Sequence, residues 1–211
     1  VAAPPNCEYK VGAAVYGTIP PFSGSFAEYV RAPTDFICRK PANMSFAEAC
    51  ALPLVGLTVM QAFEDNRVMP GQHVLVIGGS GGTGHVAVQI AKIKGARVTA
   101  ISSSRNVNLV RNLGADSILA YDCSENVLEE LHVITTRHGL FDVVFDTVSS
   151  HDSQDAIFAY ENRIRNFKPK LLSGTYILIG GVVIDWVLAH LKRFFGLNLF
   201  SKGRQLFWIR F

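Results

Sequence analysis

The chain has 211 residues, 49% of them hydrophobic, and a formal net charge of +3, which allows one large domain, or one domain and part of another, around a substantial core. Its charges are spread along the sequence, which argues against a nucleic-acid surface or an acidic tail and leaves small-molecule chemistry as the expectation. The four cysteines, Cys7, Cys38, Cys50 and Cys123, form no C-x-x-C pair and have no histidine at metal-ligand spacing, so neither a disulfide framework nor a zinc finger is indicated and a reducing compartment is expected.

From Val11 to Val30, Gly12, Gly17, Pro20, Pro21 and Gly24 separate short apolar runs, which predicts short strands of a barrel or sandwich. Ser45 followed by Glu48 has the capping-box spacing that starts a helix, and the apolar segment Phe46 to Asp65 is predicted helical with a break around Pro53. After Pro70-Gly71 the pattern becomes strand, glycine turn, helix, strand, over His73 to Ile77, Gly78 to Gly84, Val86 to Lys94 and Arg97 to Ile101. The alternation continues with a helix from Arg105 to Leu113, a strand at Ser117 to Ala120, a helix from Glu125 to Arg137 and strands at Phe141 to Asp146 and Thr175 to Ile179. Strands alternating with helices imply an α/β fold, a Rossmann doubly wound parallel sheet. The charged stretch Ser149 to Lys170 reads as an inserted or mobile helical region. The most apolar run, Tyr176 to Leu191, is short for a bilayer span and contains Gly180, Gly181 and Asp185, so it reads as a buried strand entering a helix, and no membrane span is assigned.

Gly79-Ser80-Gly81-Gly82-Thr83-Gly84 matches G-x-G-x-x-G, a weak signal alone that gains weight from the apolar strand before it, the helix after it and the second strand beyond Gly95. In this pattern Gly79 permits the tight turn, Gly81 lets backbone approach a pyrophosphate, and Gly84 lets helix and strand pack closely, while the helix N-terminus faces the phosphates. The bland alternative is a tight strand-to-helix turn without a ligand. Gly-Lys-Ser/Thr does not follow, so this is not a P-loop. The end of the second strand reads Ile101-Ser102-Ser103-Ser104-Arg105. No acid stands there to accept from a ribose 2'-hydroxyl, and serine hydroxyls with Arg105 suit a 2'-phosphate, so NADPH is favoured over NADH. The alternative is a helix N-cap by Ser104 beside a solvated arginine.

Several segments together resemble the medium-chain dehydrogenase/reductase superfamily and, in their order, its zinc-free quinone-oxidoreductase branch. They are Tyr9 to Gly17, Gly24-Ser25-Phe26-Ala27-Glu28-Tyr29-Val30, Leu52-Pro53-Leu54-Val55-Gly56-Leu57-Thr58 and Leu113-Gly114-Ala115-Asp116. Ser173-Gly174-Thr175-Tyr176 and the run from Lys202 to Phe211 carry a finer likeness to a mitochondrial NADPH-using member. The resemblance implies part of a GroES-like β domain over residues 1–45 and a Rossmann NADPH-binding domain over 46–211, with substrate between the domains. It also implies Thr58 near the nicotinamide, Ser103, Arg105 and Tyr121 around the adenosine 2'-phosphate, and Thr147 and Gly180 lining the cofactor from later strand ends. A hydroxyl bonded to its own helix competes as the role of Thr58, and an ordinary strand-end aromatic as that of Tyr121.

This chain departs from the family pattern in having Thr83 where valine is usual and Ala13 where an aspartate often stands. Val1 is not an initiator methionine, and measured against the family the chain is expected to lack the first β-domain strands and the usual return to that domain. Zinc members carry a cysteine where this chain has Val55, which cannot ligate a metal, so no metal site is expected. No catalytic side chain is assigned, because hydride transfer needs orientation and exclusion of water more than an acid or base. His73, His85, His132, His138, His151 and His190 show no convergent spacing and are expected in surface or packing roles, with His85 additionally placed to face a phosphate.

The expected activity is NADPH-dependent reduction of a quinone or enone. Enoyl-thioester reduction is the alternative enzyme, and a non-catalytic assembly subunit of a larger complex the alternative of another class. A mitochondrial location, with the cytoplasm as alternative, and a homodimer follow from the resemblance alone.

Overall fold

The computed structural model describes residues 7–19, 24–148, 172–179 and 204–206. The described chain divides into two compact units at Leu57/Thr58.

In the first unit, β1 (Val15–Gly17) pairs antiparallel with β2 (Ile37–Arg39), which follows a 3-10 helix at Thr34–Phe36. A side chain at Gly17 would put its Cβ 2.0 Å from the carbonyl oxygen of Phe36, so only glycine allows this approach. Only Val15–Gly17 of the Val11–Val30 segment is a strand among the described residues, and its partner lies at 37–39, outside the segment where short strands were expected. A glycine- and proline-rich run announces turns without saying which short apolar piece finds a partner.

Helix α1 (Phe46–Asp65) begins at the expected capping box. Ser45 N–H and Oγ both donate to Glu48 Oε2 at 2.8 Å, and Glu48 N–H donates back to Ser45 Oγ at 3.2 Å. The expected break at Pro53 does not occur, for the helix runs unbroken through it. Proline removes one N–H from the ladder, but the helix keeps its capped start and good helix formers (Ala51, Leu52, Leu54, Met60, Gln61, Ala62) on both sides. By length and composition α1 could cross a membrane, with a mean hydropathy of 1.5. Its second half is nonetheless a core helix. Val59, Ala62 and Phe63 form an i, i+3, i+4 stripe at 0% exposure, and the Phe63 ring meets Phe145 edge-on at 5.2 Å.

Among the described residues the second unit contains a sheet of six strands, all parallel. Its strands are β3 (His73–Ile77), β4 (Arg97–Ser102), β5 (Ser117–Ala120), β6 (Phe141–Asp146), β7 (Leu172–Leu178) and β8 (Arg204–Leu206), in spatial order β5-β4-β3-β6-β7-β8. Taken from β3 outwards this is the doubly wound order 3-2-1-4-5-6. All five residues of β3 are buried, as a central strand covered on both faces requires. On one face Leu75, Ile77, Ile101, Leu119, Phe141, Val144, Tyr176 and Leu178 pack with Leu131 of α4 (Val127–His138).

Helix α2 (Gly84–Ile93) leaves the glycine turn with Val86, Ala87, Val88 and Ala91 buried. The single helix expected from Arg105 to Leu113 is a 3-10 turn (Ser104–Asn106) followed by α3 (Val107–Asn112). Helix α4 starts from Asn126, whose side chain accepts from Glu129 N–H, and stops at Gly139 with φ 85°. The helical region expected at 149–170 and the strand-to-helix run beyond 179 lie outside the described residues.

Candidate functional site

In a doubly wound sheet the ligand crevice lies off the carboxyl ends of the strands, where the strand order reverses. Here that point lies between β3 and its neighbours β4 and β6, and the glycine turn springs from the end of β3. Gly78, ahead of the fingerprint, has φ +84°, and a Cβ there would meet Val148 Cγ2 at 2.4 Å and Thr147 Oγ1 at 2.6 Å. Gly84 is the tightest position, since its Cβ would lie 2.0 Å from the carbonyl oxygen of Gly78 and 3.1 Å from Cα of Gly79. Gly79 packs under β4, where a Cβ would touch that of Ala100 at 3.0 Å. The N–H groups of Gly78 and Gly79 both donate to Ile101 O, at 3.0 and 2.9 Å, and Gly81 N–H donates to Gly78 O at 2.9 Å.

The turn is therefore locked from below and open above. A Cβ at Gly82 would meet nothing within 4 Å among the described residues. Among the described residues the backbone N–H groups of Ser80, Gly82, Thr83 and Gly84 donate to no acceptor. Four such donors at the first turn of α2, beside open space over Gly82, fit the oxygens of a pyrophosphate. His85 turns its Nδ1 to Gly81 O at 2.9 Å. A carbonyl only accepts, so Nδ1 carries a proton here and this contact steadies the turn.

The second part of the crevice joins the ends of β4 and β5. Their parallel register pairs Ser102 with Ala120, and Tyr121 N–H donates to Ser102 O at 3.1 Å, which brings Tyr121 beside Ser103. Ser103 is buried at 8% exposure, Arg105 is exposed and Tyr121 is 51% exposed. Asn106 donates to both Ser80 Oγ, at 3.1 Å, and Ser103 Oγ, at 3.2 Å, so it ties the glycine turn to the end of β4. Ser104 is the first residue of the 3-10 turn, and its N–H and Oγ both donate to Asp122, at 2.7 and 2.9 Å. The Ser104 backbone N–H is the main cause that holds the Asp122 carboxyl below the usual range; desolvation opposes it, and the Ser104 hydroxyl, the Asp122 N–H and the nearby Arg105 each add a smaller lowering effect.

The remaining sequence-named residues fall as follows. Thr147 donates from both N–H, at 3.2 Å, and Oγ1, at 2.8 Å, to Ile77 O, sealing the gap between the ends of β3 and β6 under Gly78. Just before it, Asp146 is fully buried, accepts from Tyr176 OH and takes Val148 N–H at 3.0 Å. Thr58 is buried at 5% exposure in α1. Gly180 lies outside the described residues. Sequence reasoning did not single out Gly78, Asn106 or Asp122 as site residues. Asn106 at i+3 from Ser103 was a usable local signal, whereas Asp122 enters only through the β4–β5 register.

Comparison with known proteins bears on this geometry. A family model described as zinc-binding dehydrogenase matches residues 82–162. A 2-methylene-furan-3-one reductase of Solanum lycopersicum is 40% identical over 148 residues, 66% of this chain and 36% of that protein. The mitochondrial NAD(P)H oxidoreductase RTN4IP1 of Mus musculus is 30% identical over 177 residues, covering 81% of this chain and 41% of its own length. Among solved structures, the quinone oxidoreductase from Coxiella burnetii superposes with a TM-score of 0.71 at 27% identity, over 97% of this chain and 58% of that one. The chain belongs to the quinone-oxidoreductase branch of the medium-chain dehydrogenase/reductase superfamily. It spans about two fifths of the length of the curated relatives it matches. Relatives of this branch are named as NAD(P)H oxidoreductases.

Proposed function

We propose that this chain is part of an NADPH-dependent reductase that delivers hydride to a quinone or enone without zinc. The observation that carries the reading is the turn from Ser80 to Gly84, where among the described residues four N–H groups lack an acceptor and Gly82 is open, beside a β4 end that carries serines and an arginine and no acid of its own. In this reading Gly79, Ser80, Gly81, Gly82, Thr83 and Gly84 hold the pyrophosphate, and Ser103, Arg105 and Tyr121 surround the adenosine 2'-phosphate. Thr147 and Gly180 line the cofactor, and Thr58 lies near the nicotinamide. The bound nicotinamide supplies the hydride. The protein's share is to bind and orient: backbone N–H groups fix the phosphates without reorganising, and the Asn106 bridge from Ser80 to Ser103 keeps the phosphate turn and the adenosine rim at one spacing.

The acceptor class is supported by the names of relatives, which include the 2-methylene-furan-3-one reductase and a chloroplastic NADPH-dependent alkenal/one oxidoreductase of Arabidopsis thaliana, 34% identical over 154 residues. Enoyl thioesters are the second reading, supported by likeness to the CurK enoyl reductase, with a TM-score of 0.57 at 26% identity. We assign residues 1–45 to part of a GroES-like β domain and 46–211 to the nucleotide-binding domain. Relatives named as mitochondrial or chloroplastic support an organellar home, which we take as the mitochondrion, and a homodimer is the assembly we expect.

The test is calorimetric titration of the full chain with NADPH and NADH, followed by NADPH oxidation with a quinone, an enone and an enoyl thioester in parallel. The expected result is NADPH binding and turnover of the quinone or enone. Thioester turnover alone moves the assignment to the second reading, and failure to bind either nucleotide overturns it in favour of an assembly subunit.

A further inference from the structure

The rim that receives the adenosine ribose contains a carboxylate. Asp122 follows Tyr121 on the turn after β5, is exposed, and accepts both Ser104 N–H at 2.7 Å and Ser104 Oγ at 2.9 Å. Ser104 is thereby removed as a donor, because its hydroxyl proton and its amide proton both point to Asp122. The donors left on this rim are the Ser103 hydroxyl, which accepts from Asn106 but donates to nothing among the described residues, the Arg105 guanidinium and the Tyr121 hydroxyl. Arg105 also lies close enough to Asp122 to favour its ionised form, so its charge is shared between that carboxylate and any phosphate that arrives.

We propose that Asp122 is a selectivity residue that narrows the preference for NADPH. It withholds both Ser104 donors and places a negative charge beside the seat of the 2'-phosphate, so that the site accepts NADH as well. The proposal rests on the nucleotide-binding reading above. It differs from the usual device, an acid at the end of the second strand, in that the acid comes from the neighbouring strand and acts through the β4–β5 register. A carboxylate and a phosphate dianion on one solvated rim repel enough to change affinity about tenfold at low salt.

The experiment titrates the full chain, parent and variants, with 2',5'-ADP and 5'-ADP, which differ only in the 2'-phosphate. Asp122→Asn keeps an oxygen to accept from Ser104 and removes the charge, and Asp122→Glu keeps the charge and shifts the contact. For Asp122→Asn the expected outcome is about tenfold tighter 2',5'-ADP with 5'-ADP within about twofold of the parent. That gain shrinks towards unity in 1 M salt, where the screening length is about 3 Å. Asp122→Glu is expected to show no gain. An unchanged ratio in Asp122→Asn, or an equal gain in both variants, overturns the proposal while leaving the nucleotide reading intact. A parent chain that binds neither probe overturns both.

Discussion

At the scale of single residues the glycine turn separates two demands that a sequence motif runs together. Gly84 is required by the fold, since any side chain there would collide with the carbonyl of Gly78, which is backbone and cannot swing aside. Gly82 has open space above it and no positive φ, so a methyl group costs the fold little but occupies the approach to the amide donors. Gly84→Ala is therefore expected to destabilise by roughly 2–4 kcal/mol in chemical denaturation. Gly82→Ala should unfold with the parent's midpoint yet bind NADPH about tenfold more weakly, the loss of one or two well-placed amide contacts. Equal stability of the two variants would remove this division of labour. The fingerprint itself was legible as G-x-G-x-x-G, but Gly78 was not, because its need for glycine comes from a φ of +84° fixed by the folded turn and from Thr147 and Val148, some seventy positions away.

Between elements, the edge of the sheet opposite the crevice is held by a buried histidine. His73, on β3, is 3% exposed. Its Nδ1 meets Gly139 O at 3.1 Å beyond α4, its Nε2 meets Thr99 Oγ1 at 2.8 Å on β4, and its ring lies against that of Phe141 of β6, tilted by 50° with centroids 4.4 Å apart. Gly139 O requires a proton on Nδ1, so Nε2 accepts from the Thr99 hydroxyl and the ring fits this site neutral. Burial, with Arg97 and His138 nearby, pushes the His73 pKa down, and the Gly139 carbonyl and Asp142 only partly oppose this. The unfolded chain then takes up a proton at a higher pH than the folded one, so stability rises with pH through this window and falls as the pH drops below about 6.5. Denaturation midpoints between pH 5 and 8 should show that decline, and His73→Gln, which cannot titrate, should be less stable at pH 8 with a flatter dependence. An unchanged slope in the variant would show that other groups set the acid limit. The expectation of a packing role for the histidines covers His73, yet the spacing of β3 carried no hint of its partners, which arrive from three other elements.

For the molecule as a whole, the family resemblance and the parallel alternation pointed the same way, and the described residues bear both out in the six-stranded sheet. The proposed metal independence rests on one position, Val55, whose side chain offers no donor atom to a metal. Turnover is expected to survive dialysis against a chelator within about twofold. The purified full chain should hold well under one zinc per chain by elemental analysis, and chelator-dependent loss restored by zinc would reverse the assignment. What the sequence by itself determined is whatever depends on near neighbours along the chain: the capping box at Ser45 and Glu48, the strand–glycine turn–helix unit from His73, and the alternation of elements up to β6. These follow from hydrophobic spacing, glycine geometry and caps, each acting over a few residues. Only the tertiary structure decided that α1 runs through Pro53, that β1 pairs with residues 37–39, and that Asp122 closes on Ser104 across two strand ends. The reason is physical: lateral strand order and register are set by burying apolar faces across the whole sheet, and which polar groups that brings together at its edge is not encoded in any local window.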